Sequence, residues 1–319
     1  MARDYTRREF GAYTFGLGLA GSAGSSLSGR VGAAETGYDA DAAGVPRPTT
    51  ETELRRALND ASEHEVIDCP EGAVYEPGST LAVPESITLD LRGATVRPRH
   101  SGVVIDLGGG GWSGPGDGPN TVYGGTIEMG SSSGIGVRNR TDGRRFWPAV
   151  PVGTHVSADP GSGATGYQIL LGSGGNNNAW DRPVFSTAGV DTPLHMRSRS
   201  GFITSVNAHL TAADFVNGVV CDGDGDTISH TYTVCRFTPG PNTESGLVND
   251  IEGRRNCIEG WLGDASKYDQ LVRVREARKN RTGQHTCLSW DGYSSATSPG
   301  LVRDTTDAND TRVVDFAPQ

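Results

Sequence analysis

Lysine is almost missing from this chain. Of 28 basic residues only Lys267 and Lys279 are lysines, and 38 acidic residues leave a net charge of −10. That balance argues against a nucleic-acid partner, because phosphate binding needs a basic footprint. An acidic, arginine-using composition also fits a salt-adapted protein, whose exposed charges salt screens. Long apolar runs are missing as well. No stretch reaches the ~18 apolar residues that a conventional membrane-spanning helix requires. Cysteine is scarce: Cys69, Cys221, Cys235, Cys257 and Cys287 make an odd set, so at least one thiol is unpaired. None of them forms C-x-x-C, which argues against a zinc knuckle. The length of 319 residues allows one elongated solenoid or two compact domains, and hydrophobic residues are only 35% of the chain, a low content that the thin column of a solenoid tolerates.

Glycine, by contrast, is abundant, with 46 residues, and apolar residues recur at near-constant spacing. Ile169, Leu194, Val219, Leu247 and Val272 lie 25 to 28 residues apart, and so do Phe185, Leu210, Phe237, Leu262 and Cys287. A period in this range points to a repeat architecture. The units read as strands: Leu194-His195-Met196, Gly218 to Cys221, Gly246 to Val248 and Leu271 to Val274 are short, partly β-branched and bounded by turn formers. One coil of a parallel β-helix holds three short strands and three turns in about this length. Cys221 and Cys287 fall on the inward series, which favours core thiols over disulfides. A compact β-sandwich is the alternative architecture, and antiparallel pairing would reveal it.

The first 34 residues do not belong to this pattern. Thr6-Arg7-Arg8-Glu9-Phe10 resembles the twin-arginine export motif, followed by a mildly apolar run from Ala12 to Ala23 and a small-residue cleavage pattern at Gly32-Ala33-Ala34. The match rests on Arg7, Arg8 and Phe10; the residues after Phe10 do not complete the motif. The expectation is a signal peptide over 1–34, a linker over 35–48 and one β-helix domain over 49–319. The protein would then be secreted or held at the cell surface.

Thr50-Glu51-Thr52-Glu53 offers a capping box, and Leu54, Ala57, Leu58 and Ala61 follow at helical spacing. Val66 to Gly72 and Val74-Tyr75 read as strand, turn and strand, and Ser86 to Val96 alternates as one half-buried strand. This order, a short amphipathic helix, then V-I-D-C-P-E-G-A-V-Y, then I-T-L-D-L-R-G-A-T-V, resembles the N-terminal end of right-handed parallel β-helix proteins of the pectate-lyase-like superfamily. The resemblance covers about residues 49–100 closely and 166–290 by repeat style. It implies an all-β, single-stranded, right-handed parallel β-helix whose short N-terminal α-helix covers the open end of the coil. An uncovered end would expose apolar column and unpaired strand edge. Two excursions interrupt the coil, at about 108–119 and 139–162; the second is rich in proline and so reads as non-strand.

The superfamily includes polysaccharide lyases, glycoside hydrolases and viral tailspikes. The N-T-D, D-D, G-H-G and R-I-K motifs of pectin hydrolases are all missing, which argues against that activity in particular. Stacking by one period gives a sharper search. Beyond the strands ending at Met196, Cys221, Asn249 and Val274 come Arg197 and Arg199, then Asp222, Asp224 and Asp226, then Asp250 and Glu252, then Arg275. This charged ridge has three readings: an ion-pair ladder, a Ca²⁺ site on Asp222, Asp224 and Asp226, or a catalytic carboxylate pair, Asp250 and Glu252. Arg197, Arg199, Arg275, Trp180 and Trp261 are the candidate substrate-binding residues, since indoles beside carboxylates suit a sugar polymer. Asn139, Asn280 and Asn309 head N-x-S/T sequons. The expected function is recognition, with or without cleavage, of a polysaccharide or cell-surface glycan. A structural or adhesive envelope protein, or a tailspike-like fibre, is the rival. Resemblance to tailspikes raises a homotrimer as one assembly.

Overall fold

The computed structural model describes residues 45–108, 120–141, 150–171, 184–199, 203–224, 228–250, 254–259, 270–274, 287–289 and 302–304. Helix α1 spans Glu51–Asp60 behind its N-cap Thr50. The Thr50 hydroxyl accepts from the Glu53 N–H at 3.2 Å, and Glu53 Oε2 accepts from the Thr50 N–H at 3.2 Å. That reciprocal box satisfies two helix-end donors. Leu54 and Leu58, one turn apart, are buried, and Ala57 and Ala61 pack beside them.

The chain then coils. The first coil is β1 (Val66–Asp68), β2 (Val74–Tyr75) and β3 (Leu81–Val83); the second is β4 (Thr88–Asp90), β5 (Thr95–Val96) and β6 (Val103–Gly108). The third is β7 (Thr121–Tyr123), β8 (Thr126–Glu128) and β9 (Ile135–Thr141). Later coils have two strands each: β10 (Val150–Ser157) and β11 (Thr165–Leu171), β12 (Val184–Ala188) and β13 (Thr192–Arg199), β14 (Ile203–Ala213) and β15 (Asn217–Asp224). They continue with β16 (Ile228–Thr238) and β17 (Ser245–Asp250), β18 (Arg254–Glu259) and β19 (Gln270–Val274), β20 (Cys287–Ser289) and β21 (Val302–Asp304). Every described strand pairing is parallel. Sheet A runs β1-β4-β7-β10-β12-β14-β16-β18-β20, with β2, β5 and β8 as a short branch; sheet B runs β3-β6-β9-β11-β13-β15-β17-β19-β21. The protein is a parallel β-solenoid, and the antiparallel sandwich is excluded.

The corner between the first two strands of a coil is marked by glycine, even where three strands per coil become two. Gly72, Gly93 and Gly124 hold left-handed φ values of +80°, +78° and +58° at the corner between the first two strands of their coils. In β10 the equivalent residue is Gly153, φ +72°. There the corner has flattened into an irregularity within one strand, which pairs with β7 through Val150–Val152 and with β8 through His155–Ser157. The same corner corrects the expectation of one strand over Ser86 to Val96. The stretch is β4, a turn at Gly93, and β5, because Gly93 takes a backbone conformation that a continuing strand does not allow.

Tyr167, Leu194, Val219, Leu247, Val272 and Val302 are successive register partners across sheet B, and Tyr167, Leu194 and Val219 are buried in the core. Four of the five residues in the first apolar series are therefore true neighbours. Ile169 instead stacks on Met196, two residues along the same face. In sheet A, Phe185 stacks on Leu210, but Leu210 stacks on Cys235, not Phe237, and Cys287 stacks on Cys257. Leu262 lies outside the described residues. The 139–162 excursion is also corrected. Its 150–157 portion is β10, and Pro151 is accommodated as the second residue of that strand, where a missing ladder donor disturbs least.

The N-terminal end of the coil buries aromatic and apolar groups against the cap. Tyr75 is fully buried and its hydroxyl donates to the Pro48 carbonyl at 2.7 Å, while the Asp68 N–H donates to the Pro46 carbonyl at 3.0 Å. Among the described residues no helix is long and apolar enough to cross a membrane.

Candidate functional site

The connections between sheets are unequal. Up to Asp250, each passage from sheet A to sheet B takes three to seven residues. The passages from sheet B back to sheet A include 109–120, 142–149 and 172–183, which follow the adjacent strands β6, β9 and β11. Long connections leaving a rigid scaffold are the usual carriers of binding function. These carry Trp112, then Arg144, Arg145, Phe146 and Trp147, then Trp180 and Asp181. All those residues lie outside the described residues; the strand ends from which the chain departs do not.

At those strand ends the register brings charged positions together. Met196, Cys221, Asn249 and Val274 form one row across sheet B, as the period indicated. In the next row Arg140, Leu170, Arg197, Asp222 and Asp250 are successive partners, and Arg199 pairs with Asp224. These positions are strand residues, not turn residues, one strand spacing apart, or roughly 4.8 Å. Backbone placement therefore unites Arg197, Arg199, Asp222, Asp224 and Asp250. Asp226, Glu252, Trp180, Trp261 and Arg275 lie outside the described residues, as do Arg7, Arg8 and Phe10. Trp261 sits between β18 and β19, in a passage from sheet A to sheet B, whereas Trp180 sits in one from B to A. The two indoles thus belong to passages of opposite direction.

Two residues inward along the same strands lies a polar row that sequence reasoning missed: Asp106, Arg138, Gln168 and His195. Val137 and Asn139 point into the core, so Arg138 and Arg140 point out. Asp106 is almost completely buried and holds both guanidiniums. Arg138 donates to its two oxygens at 3.3 and 2.8 Å, and Arg140 donates through Nε at 3.2 Å and through a second, closer nitrogen. One carboxylate neutralises one of two arginines, so the cluster keeps a net positive charge. Gln168 Nε2 lies 3.1 Å from His195 Nδ1; with the amide donating, the neutral imidazole carries its proton on Nε2. The period search did not find this row because Asp106 and Arg138 are 32 residues apart, the 109–120 connection lying between them.

On the outward face of sheet A, His155 Nδ1 meets Ser186 Oγ at 2.8 Å, and burial lowers the pKa of His155. Among the described residues no carboxylate orients that imidazole, so the pair lacks the third member that activates a serine. Cys69 is a free, buried thiol whose pKa burial pushes up to about 12, which removes it as a nucleophile at neutral pH. Among the described residues no group of three or more His, Cys, Asp or Glu is arranged to hold a metal. The sequon at Asn139 is not an acceptor in the folded chain, since Asn139 is fully buried.

The architecture defines the class: a parallel β-solenoid, with charged positions in register at one strand-end edge of sheet B. No family model, curated protein or solved structure matches the chain.

Proposed function

We propose that this is an exported or surface-associated β-solenoid that binds a linear polysaccharide along the strand-end edge of sheet B. One observation carries the reading. The three long connections bearing Trp112, Trp147 and Trp180 depart from adjacent strands beside the row of Arg140, Arg197, Asp222 and Asp250. A stacked row sets polar and charged positions at a fixed interval along the solenoid, which suits an extended polymer better than a compact metabolite. Indoles supply sugar-stacking faces, and charged side chains supply hydrogen bonds to hydroxyls and acidic substituents. Cleavage would fall to Asp250 and Glu252, and a Ca²⁺ ion to Asp222, Asp224 and Asp226.

The test is retardation in gels containing soluble polysaccharides, run with the wild-type chain and an Arg197→Ala, Arg199→Ala variant, with incubated polymer assayed for new chain ends. Retardation lost in the variant supports binding at this edge, and new chain ends lost in Asp250→Asn add catalysis. No retardation by any polymer sinks the reading. Export is tested separately by Arg7→Lys, Arg8→Lys, which should trap the protein inside the cell.

A second reading has its own observation. Ion pairs bridge successive coils, Arg99 to Glu76 and Arg97 to Glu128 at 2.6 Å, and Asp106 ties its two arginines the same way. A ladder of this kind also suits an adhesive or structural spacer.

A further inference from the structure

We propose that Arg138 and Arg140, gathered on Asp106, form an anion subsite, so that the polymer bound at this edge carries carboxylate or sulfate groups. The inference rests on the polysaccharide reading above and narrows its substrate class. Its basis is charge and donor counting. Asp106 accepts from both guanidiniums with both oxygens, so its acceptor capacity is filled and it neutralises one of the two. Each guanidinium commits two of its five N–H donors to Asp106. The carboxylate below therefore fixes the two planes without cancelling their charge.

Exposure decides which arginine meets ligand. The Asp106 side chain is 4% exposed, Arg138 is 24% exposed and Arg140 is 51% exposed. A buried carboxylate underneath, a half-exposed guanidinium on top and a second beside it make a preorganised fork, and planar forks recognise carboxylate and sulfate oxygens in a bidentate manner. Arg140 is also next to the last residue of β9, where the chain departs into the connection carrying Arg144, Arg145 and Trp147. The position two strands on in the same row is Arg197, roughly 10 Å away at the spacing of parallel strands. Two negative groups of a polymer at that interval would meet both arginine positions; beyond Arg197 the row turns acidic at Asp222 and Asp250, which bounds the subsite on that side. The net charge of −10 opposes general adhesion of polyanions, so a local site is needed to hold one.

Dextran, carboxymethyl-dextran and dextran sulfate of equal chain length share one backbone and differ in charge, and binding of each is measured by calorimetry. The carboxymethyl or sulfate form should bind at least about tenfold more tightly than dextran, and the stronger of the two identifies the anion. Arg140→Gln should remove most of that gain and Arg140→Lys should restore part of it. Arg97→Gln, which opens an exposed ion pair elsewhere, should leave it intact. Thermal unfolding of each variant checks that the fold survives, and Arg140→Lys keeps the test valid if Arg140→Gln unfolds. Equal binding of neutral and charged dextran, or equal loss in Arg97→Gln, overturns the subsite and leaves the polysaccharide reading standing. Stronger binding of single-stranded DNA than of either charged dextran also overturns it. No binding of any polymer here or in the retardation gels overturns the reading itself.

Discussion

Single residues in this molecule are governed by whether their coil position faces the column or the solvent. Cys69 faces the column, and its thiol is held at a pKa of about 12 by desolvation, with Asp68 and Asp90 adding to the rise. A pulse of iodoacetamide at neutral pH should therefore leave the Cys69 peptide unlabelled in the native protein and label it fully in denaturant. Prompt native labelling would mean that the first coil opens far more readily than its burial implies. His155 shows the opposite sensitivity. Burial lowers its pKa from 6.5, so the unfolded chain binds a proton more readily than the folded one. The stability tied to its neutral form is whole above the unfolded pKa and drains as pH falls toward the folded one. Between about pH 7.5 and about pH 5 the melting temperature should fall less in His155→Gln than in wild type. Parallel falls would show that the imidazole is not the group responsible.

At the scale of the element, the two sheets approach so closely that some coil positions admit no side chain. A Cβ on Gly218 would lie 2.6 Å from a ring carbon of Phe237 and 2.7 Å from the Gly246 carbonyl oxygen, whereas one on Gly78 would meet nothing within 4 Å. Gly218→Ala should cost about 1–3 kcal/mol by overpacking, and Gly78→Ala should stay within about 0.5 kcal/mol of wild type. Denaturant melts of the two variants check the contrast, and equal midpoints would refute the close approach. The sheet B column was legible in the sequence because the total chain length from one of its strands to the next varies little there: Leu194, Val219, Leu247 and Val272 stack as their spacing indicates. Sheet A was less legible. β14 and β16 pair without a shift, so Leu210 meets Cys235 and Phe237 lies opposite Ala212, two residues along the same strand. Spacing alone does not choose between two apolar residues that share a face, and register shifts between Val152 and Thr154 and between Ile228 and Thr231 blur the period in the flanking pairs. The candidate edge was half legible. Arg197, Asp222 and Asp250 follow from the period, but Asp106, Arg138 and Arg140 do not, since a long connection separates their coils. Only the parallel register reveals that two arginines distant in sequence from Asp106, Arg138 and Arg140, share its carboxylate.

For the whole molecule, a solenoid differs from a globule in having ends, and each end is a sheet edge laid open. Here the N-terminal end is closed by two devices. The Pro46 carbonyl accepts the Asp68 N–H and the Pro48 carbonyl accepts the Tyr75 hydroxyl, so an extended segment occupies the edge of the first coil. Leu54 and Leu58 of α1 are buried in the same core cluster as Ile67, Tyr75 and Leu81, so the helix closes the apolar column. Arg55 ties the helix to the first coil by donating to the carbonyls of Ser79 and Thr80 at 2.7 and 3.0 Å. Because each coil contacts mainly its neighbours, loss of the cap should destabilise from that end inward while the next coils keep their own interfaces. A chain starting at Ser62 should then associate with rising concentration, as the freed β1 edge pairs with other copies. Leu58→Ala alone should cost about 2–5 kcal/mol without freeing the backbone edge, so it should melt earlier yet stay unassociated. Light scattering across a concentration series separates the two effects. If the truncated chain stays at the mass of a single copy and melts with wild type, the helix and the Pro46–Pro48 segment are ornaments on a coil that is stable without them. If Leu58→Ala associates as strongly as the truncation, the apolar column, not the strand edge, is what the cap protects.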